Sequence, residues 1–270
     1  CRCRRPCPMP VPRPMTVLVG VRLRAGIRGS FGPEPRPWHT AKLDAEFTAD
    51  MTDDIVSLED YLQLEEAVFA QLDEKVYSHT ATGPGQELVR YSDGSAADPR
   101  HRRPDWNRTF ELTQENPRAV ALLLHGLSDS PYSLRAPGEA LHAAGIHVVG
   151  LRIPGHGTAP VGLVTTTWQD MAAAVALAVA DLDRRFPDQP LYLVGYSNGA
   201  ALALHHVLLA IEEGGQRLPD RLVLLSPEIA VTGAAAMPAS RACRAQGATI
   251  CANTSAACSH SIPPCPPVTM

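Results

Sequence analysis

The sequence predicts an α/β domain in which a mostly parallel sheet is covered by helices on both faces. Between residues 119 and 228, short apolar runs alternate with longer helical segments. The runs are apolar throughout, as expected for parallel strands that are buried on both faces. The chain has 270 residues, of which 45% are hydrophobic and 19% charged, which suffices for one domain with a substantial core.

Charge divides the chain into three segments. Residues 1–37 hold eight arginines and one acid, and residues 232–270 hold two arginines and no acid. Residues 38–231 hold 14 basic and 27 acidic residues, a net charge of −13. Such an acidic body does not attract nucleic acid or anionic membranes. We therefore expect a folded core at 38–231, a disordered or non-native N-terminal segment and an irregular C-terminal tail.

Cysteine usage supports this division. The core has no cysteine, which is compatible with a reducing cytoplasm, and the cysteine spacings match no metal-ligand pattern. Arginine far outnumbers lysine, which indicates a GC-rich gene, and both ends have the composition that an out-of-frame reading of such a gene produces. We hypothesise that both ends are out of frame or otherwise non-native. No apolar run approaches the roughly 18 residues of a membrane span. The seven cysteines are Cys1, Cys3, Cys7, Cys243, Cys251, Cys258 and Cys265.

The first predicted element is a helix over residues 55–77. Leucine, valine and phenylalanine recur there at steps of three and four residues. Ser57 and Asp60 have the spacing of a capping box at its start. The sheet is predicted from about residue 87, with short strands at 87–92 and 108–113.

The following elements alternate regularly. Each apolar run is followed by a segment of helical period, and Pro137 must lie near the start of its helix because proline is tolerated only in the first turn. The predicted strands are 119–126, 146–153, 190–197 and 221–228, and the predicted helices are 132–145, 165–186 and 198–214.

A serine lies between two glycines where the third of these strands meets its helix. Gly195-Tyr196-Ser197-Asn198-Gly199 has the pattern G-x-S-x-G, and strand–turn–helix is the setting that a catalytic serine of this kind requires. The tight turn lifts the serine Oγ above the sheet, and the helix N-terminus favours negative charge beside it. We predict that Ser197 is a nucleophile; the alternative is a tight turn without catalysis.

Acyl transfer to a serine also needs hydrogen-bond donors for the oxyanion. The N–H of Asn198 is one candidate, and the N–H of Leu127 is the other, because Gly126 permits a sharp turn after its strand. His125 is expected to brace this loop by hydrogen bonds, in preference to acting as a general base. Ser128 and Asp129 form either the turn itself or the mouth of a pocket.

The residues carry a resemblance to a known family. The segments LLLHGLSDSPYSL, GLRIPGHGTAP, LYLVGYSNGAALAL and RLVLLSPEIAV resemble the first part of an α/β-hydrolase, most closely the lysophospholipase and monoacylglycerol-lipase-like serine hydrolases. The resemblance covers about residues 87–231. It implies the α/β-hydrolase fold, Ser197 as nucleophile, Leu127 and Asn198 as oxyanion donors, and an acid and a histidine later in the chain. It identifies no substrate; we expect a small-molecule ester, with an acyl lipid as one candidate. It implies no metal or organic cofactor.

The family order is serine, then an acid, then a histidine. Glu228 follows the last predicted strand and is the candidate acid, whereas Asp220 precedes that strand. After the serine, His205 and His206 lie two turns along the next helix, too far from its start to reach the hydroxyl. His260 lies in the irregular tail. In most α/β-hydrolases the acid follows a further strand. We therefore expect that this chain is truncated before the catalytic acid and the histidine, and that the C-terminal strands and the cap are missing.

The sequence thus predicts a carboxylesterase or lipase-like hydrolase that forms an acyl-enzyme on Ser197, with doubtful activity because the triad is incomplete. A thioesterase, an acyltransferase or a peptidase on the same fold remains an alternative. A non-catalytic protein, either a truncated product or a binding module, is the alternative from a different class. A cytoplasmic location is expected, and the oligomeric state stays open.

Overall fold

The computed structural model describes residues 34–228. Residues 1–33 and 229–270 lie outside the described part of the chain. The hypothesis of out-of-frame ends therefore falls almost wholly outside it, as do all seven cysteines and His260. The boundaries predicted at residues 37 and 231 stay predictions.

A five-stranded sheet forms the centre of the described domain. Its strands are β1 (Phe110–Leu112), β2 (Ala119–Leu124), β3 (Ile146–Leu151), β4 (Leu191–Tyr196) and β5 (Arg221–Leu225). Their order in space is β1-β3-β2-β4-β5, with β1 antiparallel to β3 and the other pairs parallel. The mostly parallel sheet is confirmed. After β2 the chain forms β3 on one side of it and then crosses to form β4 on the other side. The carboxyl ends of β2 and β4 therefore flank a crevice of the kind in which α/β proteins place their sites.

Helices cover both faces, as predicted. Alternate residues of β2 point to opposite sides. Leu122 and Leu124 join the core beneath α2 (Leu58–Lys75), α5 (Trp168–Arg185) and α6 (Asn198–Glu213). Ala121 and Leu123 join the core on the side of α3 (Arg135–Ala143). All four are essentially buried, which explains why this strand is apolar throughout. The helices are α1 (Pro37–Thr40), α2 (Leu58–Lys75), α3 (Arg135–Ala143), α4 (Gly162–Thr165), α5 (Trp168–Arg185) and α6 (Asn198–Glu213), with 3-10 turns at Ala49–Met51, Tyr77–His79, Pro99–His101 and Pro131–Leu134. None of these helices is both long enough and apolar enough to cross a bilayer.

Helix α2 confirms the predicted N-terminal helix and its cap. The hydroxyl of Ser57 accepts the N–H of Asp60 at 3.1 Å, and the Asp60 carboxylate accepts the N–H of Ser57 at 3.0 Å. This reciprocal pair satisfies two N–H groups that have no partner within the helix. Tyr61 and Glu65, four residues apart on one face of α2, are both buried.

The strand predicted at residues 87–92 is wrong, because that segment forms successive turns and the sheet begins at Phe110. Leu88 is 82% exposed, so the alternation of the segment does not bury one face of a strand. Tyr91 is instead buried as a single side chain, stacked on Trp38 with ring centroids 5.2 Å apart. Its hydroxyl donates to the carbonyl of Thr158 at 2.9 Å. One anchored aromatic side chain therefore fixes this segment.

Candidate active site

Ser197 lies at the turn between β4 and α6 with φ 52° and ψ −115°, a strained conformation for a residue with a side chain. Glycine is required on both sides of it. A Cβ on Gly195 would lie 2.4 Å from the Cα of Ala200, and a Cβ on Gly199 would lie 2.1 Å from the carbonyl oxygen of Leu124. The two glycines therefore let the turn pack tightly against its own helix and against β2.

The loop after β2 lies directly against this turn. In the sheet register Leu124 is opposite Gly195, so the chain leaves β2 beside the start of the turn. A Cβ on Gly126 would lie 3.3 Å from the Cβ of Ser197. The loop then reverses, with the N–H of Asp129 donating to the carbonyl of Gly126 at 3.3 Å. The structure thus brings together the two segments that the sequence singled out.

Two main-chain N–H groups in these segments have no hydrogen-bond acceptor among the described residues. The N–H of Ser197 donates to the carbonyl of Leu225 at 2.9 Å. Within residues 34–228, neither the N–H of Leu127 nor that of Asn198 has a hydrogen-bond partner. Asn198 is also the first residue of α6, where the helix dipole favours negative charge. These N–H groups can donate hydrogen bonds to the oxyanion that forms on a carbonyl oxygen when the Ser197 hydroxyl attacks the carbonyl carbon.

His125 is buried at the end of β2, and both ring nitrogens are engaged. Nδ1–H donates to the carbonyl of Gly126 at 2.9 Å, and Nε2 accepts the N–H of Ile153 at 3.1 Å. Burial, with a smaller effect of the neighbouring imidazole of His156, lowers the pKa of His125 to about 3. A neutral ring with both nitrogens occupied does not serve as a general base. Its contacts are those of a brace between the Gly126 loop and the loop after β3.

The buried neutral His125 predicts an acid-dependent loss of stability. The unfolded chain takes up a proton near pH 6.5, whereas the folded chain does so only near pH 3. The contribution of the neutral His125 ring to the free energy of unfolding is therefore complete above about pH 6.5. It falls as pH decreases, by about 1.4 kcal/mol per pH unit between pH 6.5 and pH 3. Urea unfolding of the wild type and of His125→Asn from pH 7 to pH 4 measures it.

We expect the unfolding free energy of His125→Asn to depend less steeply on pH than that of the wild type. The difference in slope corresponds to about one proton fewer taken up on unfolding. His39→Asn, which changes an exposed histidine in α1 whose Nδ1 accepts the N–H of Arg36, is the control, and its change in slope should be smaller than that of His125→Asn. Equal slopes for the wild type and His125→Asn would show that His125 is not held neutral.

The other histidines in the neighbourhood also have partners elsewhere. The Nδ1–H of His156 donates to the carbonyl of Pro154 at 3.0 Å, and burial lowers the pKa of the ring. His206 contacts the carbonyl of Arg217, and His205 lies edge-on to Trp168. Within residues 34–228, no histidine is hydrogen-bonded to the hydroxyl of Ser197. The structure therefore brings no described histidine to the serine.

The two acids near the last strand lie at opposite ends of the sheet. The carboxylate of Asp220 accepts the N–H of Leu191 at 2.8 Å, and its own N–H donates to the Leu191 carbonyl. Asp220 is thus fixed at the start of β4, away from the turn. The N–H of Glu228 donates to the carbonyl of Ser197 at 3.2 Å. Glu228 therefore lies on the serine side of the sheet, half-buried next to the turn.

A cavity of about 460 Å³ opens beside the loop after β2. Residues 128–130 form one wall, and Trp106, His156 and Thr158 contribute to the others. Nε2 of His156 and Oγ1 of Thr158 are buried without a hydrogen-bond partner among the described residues. The volume lies in the range of small-molecule sites. Ser197 is not among its lining residues, and the cavity adjoins the site through the loop that follows Leu127.

Sequence reasoning missed one group of residues behind the site. Arg152, in the loop just after β3, is only 1% exposed and forms ion pairs with Glu46 and Glu65. The two acids precede it by 106 and 87 residues, so spacing along the chain does not reveal the pairs. The available signal was the arginine itself, at the end of an otherwise apolar run, because a charge is rarely buried there without a partner.

Comparison with known proteins adds a family to this geometry. Residues 115–257, more than half of the chain, match the family described as serine aminopeptidase, S33. A thermostable monoacylglycerol lipase from Bacillus sp. (strain H-257) is 35% identical over 91 residues, which are 34% of this chain and 36% of that protein. The match thus spans only about a third of the length of this curated relative.

Solved structures also match. A chain from the work on LipS and LipT, two metagenome-derived lipolytic enzymes, is 25% identical over 47% of this chain and 48% of its own, with a TM-score of 0.40. TT1662 from Thermus thermophilus is 25% identical over 43% of this chain and 50% of its own, with a TM-score of 0.35. The family match over more than half of the chain, together with the mostly parallel sheet, shows that the chain is a member of the serine aminopeptidase S33 family of α/β-hydrolase serine hydrolases.

Proposed function

We propose that this protein is a serine hydrolase that cleaves carboxylic esters through an acyl-enzyme on Ser197. The observation that carries the proposal is the strained turn that presents this serine beside two unpartnered N–H groups, those of Leu127 and Asn198. The family match and the lipase relative support ester hydrolysis as the reaction. The cavity beside residues 128–130 provides room for one substituent of the ester.

The proposed reaction has two steps. The Ser197 Oγ attacks the ester carbonyl while its proton passes to a base, and the carbonyl oxygen becomes an oxyanion that accepts hydrogen bonds from Leu127 and Asn198. Collapse of this intermediate breaks the bond to the alcohol, which leaves with a proton and yields the acyl-enzyme. Water then attacks the same carbonyl, and the acid product leaves as the serine regains its proton.

Glu228 is the proposed acid, supported by the hydrogen bond of its N–H to the Ser197 carbonyl. The histidine has no counterpart among the described residues beside the serine. Without a base the serine keeps its ordinary high pKa and is a weak nucleophile. Loss of one triad member costs on the order of 10⁴-fold in rate, while the oxyanion donors keep part of the catalysis. We therefore expect weak but measurable acylation.

Labelling of the full chain with a fluorophosphonate probe tests the proposal. We expect covalent labelling that mass spectrometry maps to Ser197 and that Ser197→Ala abolishes. Ser226→Ala is a matched control, because Ser226 also has a positive φ, at 46°, and follows the neighbouring strand β5. This variant should keep its labelling and its slow hydrolysis of p-nitrophenyl butyrate.

Absence of labelling in a folded sample, shown by circular dichroism and cooperative unfolding, would overturn the proposal for this chain. That outcome favours the non-catalytic alternative, in which the fold is kept and the chemistry is lost. Labelling that persists in Ser197→Ala would assign the nucleophile to a different residue.

The family description favours one second candidate, the hydrolysis of N-terminal peptide bonds. The same serine and oxyanion donors serve an amide carbonyl, but the leaving amine must be protonated as it departs. Aminoacyl p-nitroanilides and p-nitrophenyl esters distinguish the two reactions. We expect turnover of the esters only; faster turnover of the anilides would make the protein an aminopeptidase.

A further inference from the structure

A buried ion cluster lies behind the proposed oxyanion loop. The guanidinium of Arg152 forms two hydrogen bonds to Glu46, at 2.8 and 2.9 Å, and one to Glu65, at 3.2 Å. Glu65 also accepts the N–H and hydroxyl of Thr109 at 3.0 and 2.7 Å. All three groups that are hydrogen-bonded to Glu65 are donors, so the carboxylate acts only as an acceptor. The cluster is satisfied on all sides, which is the condition under which buried charges are tolerated.

The cluster fixes the loop that follows β3. A fourth guanidinium hydrogen bond reaches the carbonyl of His156 at 3.0 Å, and Glu46 accepts the N–H of Gly155 at 3.0 Å. The main chain of Arg152 is held as well, since its carbonyl accepts the hydroxyl of Tyr61 at 2.6 Å. Residues 152–156 are therefore fixed by side chains from a segment more than 80 residues earlier.

The same loop holds the brace of the active site. Ile153 immediately follows Arg152, and its N–H donates to Nε2 of His125. The opposite nitrogen of that ring donates to the carbonyl of Gly126, which packs against Ser197. The connection from the acids runs through hydrogen bonds to Arg152, the peptide bond from Arg152 to Ile153, and the two hydrogen bonds of His125. It ends at the peptide unit between Gly126 and Leu127, whose N–H is the proposed donor.

We propose that Glu46 and Glu65 are positioning residues that, through Arg152 and His125, fix the direction of the Leu127 N–H. Both acids precede residue 115, where the family match begins, so this support comes from a part of the chain outside the match. The inference rests on the proposed function, because the N–H matters only if an oxyanion forms at Ser197. Donors of an oxyanion act in the transition state, so their direction affects rate more than ground-state binding.

The test measures labelling of the full chain by a fluorophosphonate, whose phosphoryl oxygen uses the same donors. We expect Glu46→Gln and Glu65→Gln each to lower the maximal labelling rate constant by about tenfold. This is smaller than the roughly 10²- to 10³-fold loss of rate that follows removal of a whole oxyanion donor, because the Leu127 N–H is misdirected and not removed. The probe concentration that gives half-maximal rate should stay unchanged. Glu66→Gln is the matched control: it neighbours Glu65 but pairs with Arg108 at the surface, and it should label at the wild-type rate.

Rates are expressed per folded molecule, counted from the final extent of labelling. If the acids stabilise the fold only, the variants will label a smaller fraction at an unchanged rate constant, and the proposal fails. A shift in half-saturation with an unchanged maximal rate would also overturn it, since that is the signature of lost ground-state binding.

A readout without chemistry separates this inference from the proposed function. In ¹⁵N-labelled protein, the His125 ring should show a protonated Nδ1 and a hydrogen-bonded Nε2, and the Leu127 amide should give one sharp signal. We expect Glu46→Gln to shift or broaden both, and Glu66→Gln to leave them unchanged. Unchanged signals in Glu46→Gln would sink the positioning role, whereas failure of the wild type to label at Ser197 would sink the proposed function instead.

Discussion

Replacing Arg152 with methionine is expected to lower the free energy of unfolding at pH 7 by about 3–5 kcal/mol, the usual effect of removing one partner from a buried ion pair. Methionine keeps the apolar part of the arginine side chain but lacks the guanidinium, so a part of the loss is packing around the removed group. The main cost is the two carboxylates of Glu46 and Glu65, which stay buried without their cation. Urea unfolding of the wild type and Arg152→Met at pH 7 measures the difference.

The sign of the pH dependence identifies the cause. In the wild type, burial raises the pKa of Glu46, but the charge and hydrogen bonds of Arg152 outweigh it, and the pKa is lowered. At Glu65 burial already dominates and raises the pKa in the wild type, despite the charge of Arg152. Without the arginine, burial dominates at Glu46 as well, and both carboxyl groups bind protons more tightly in the folded state. Their destabilising effect is then absent below about pH 4 and grows as pH rises. The difference between the wild type and Arg152→Met should therefore shrink from pH 7 to pH 5.

Arg108→Met is the matched control, because Arg108 pairs with Glu66 at the surface and such pairs contribute about 1 kcal/mol or less. An effect of Arg152→Met that is equally small, or that grows as pH falls, would contradict the electrostatic explanation.

Gly199→Ala is expected to destabilise the protein by about 3 kcal/mol or more and to displace the turn that carries Ser197. The new Cβ would lie 2.1 Å from the carbonyl oxygen of Leu124 and 2.5 Å from that of His125. Both are main-chain atoms at the end of a buried strand, so no flexible side chain can move aside. Unfolding measurements give the stability, and fluorophosphonate labelling reports on the turn.

Gly215→Ala is the control for this substitution. Gly215 has a φ of 76° and open space around its Cα, so alanine there costs only the left-handed backbone conformation, about 1–2 kcal/mol. Labelling at Ser197 should be unchanged in this variant. If Gly199→Ala were no more destabilising than Gly215→Ala, the close contact of the turn with β2 would be wrong.

The regular elements were predictable because their causes are local. Strand β2 is apolar throughout since both of its faces are covered, and the Ser57–Asp60 pair marks the start of α2 in the sequence as it does in the structure. The strand predicted at 87–92 failed because a short run with little periodicity says nothing about whether a partner strand is available. There, the burial of Tyr91 decided the conformation.

For the candidate site, the sequence alone determined the serine turn, the glycines that enclose it and the loop after the neighbouring strand, because steric limits on a strand–turn–helix act within a few residues. The tertiary structure decided which groups reach that site: it placed Glu228 on the serine side of the sheet and Asp220 on the opposite one. It also paired Arg152 with acids distant in sequence. The physical reason is that a buried charge is stabilised by whatever group the fold brings within hydrogen-bond reach, and only the folded chain defines that group.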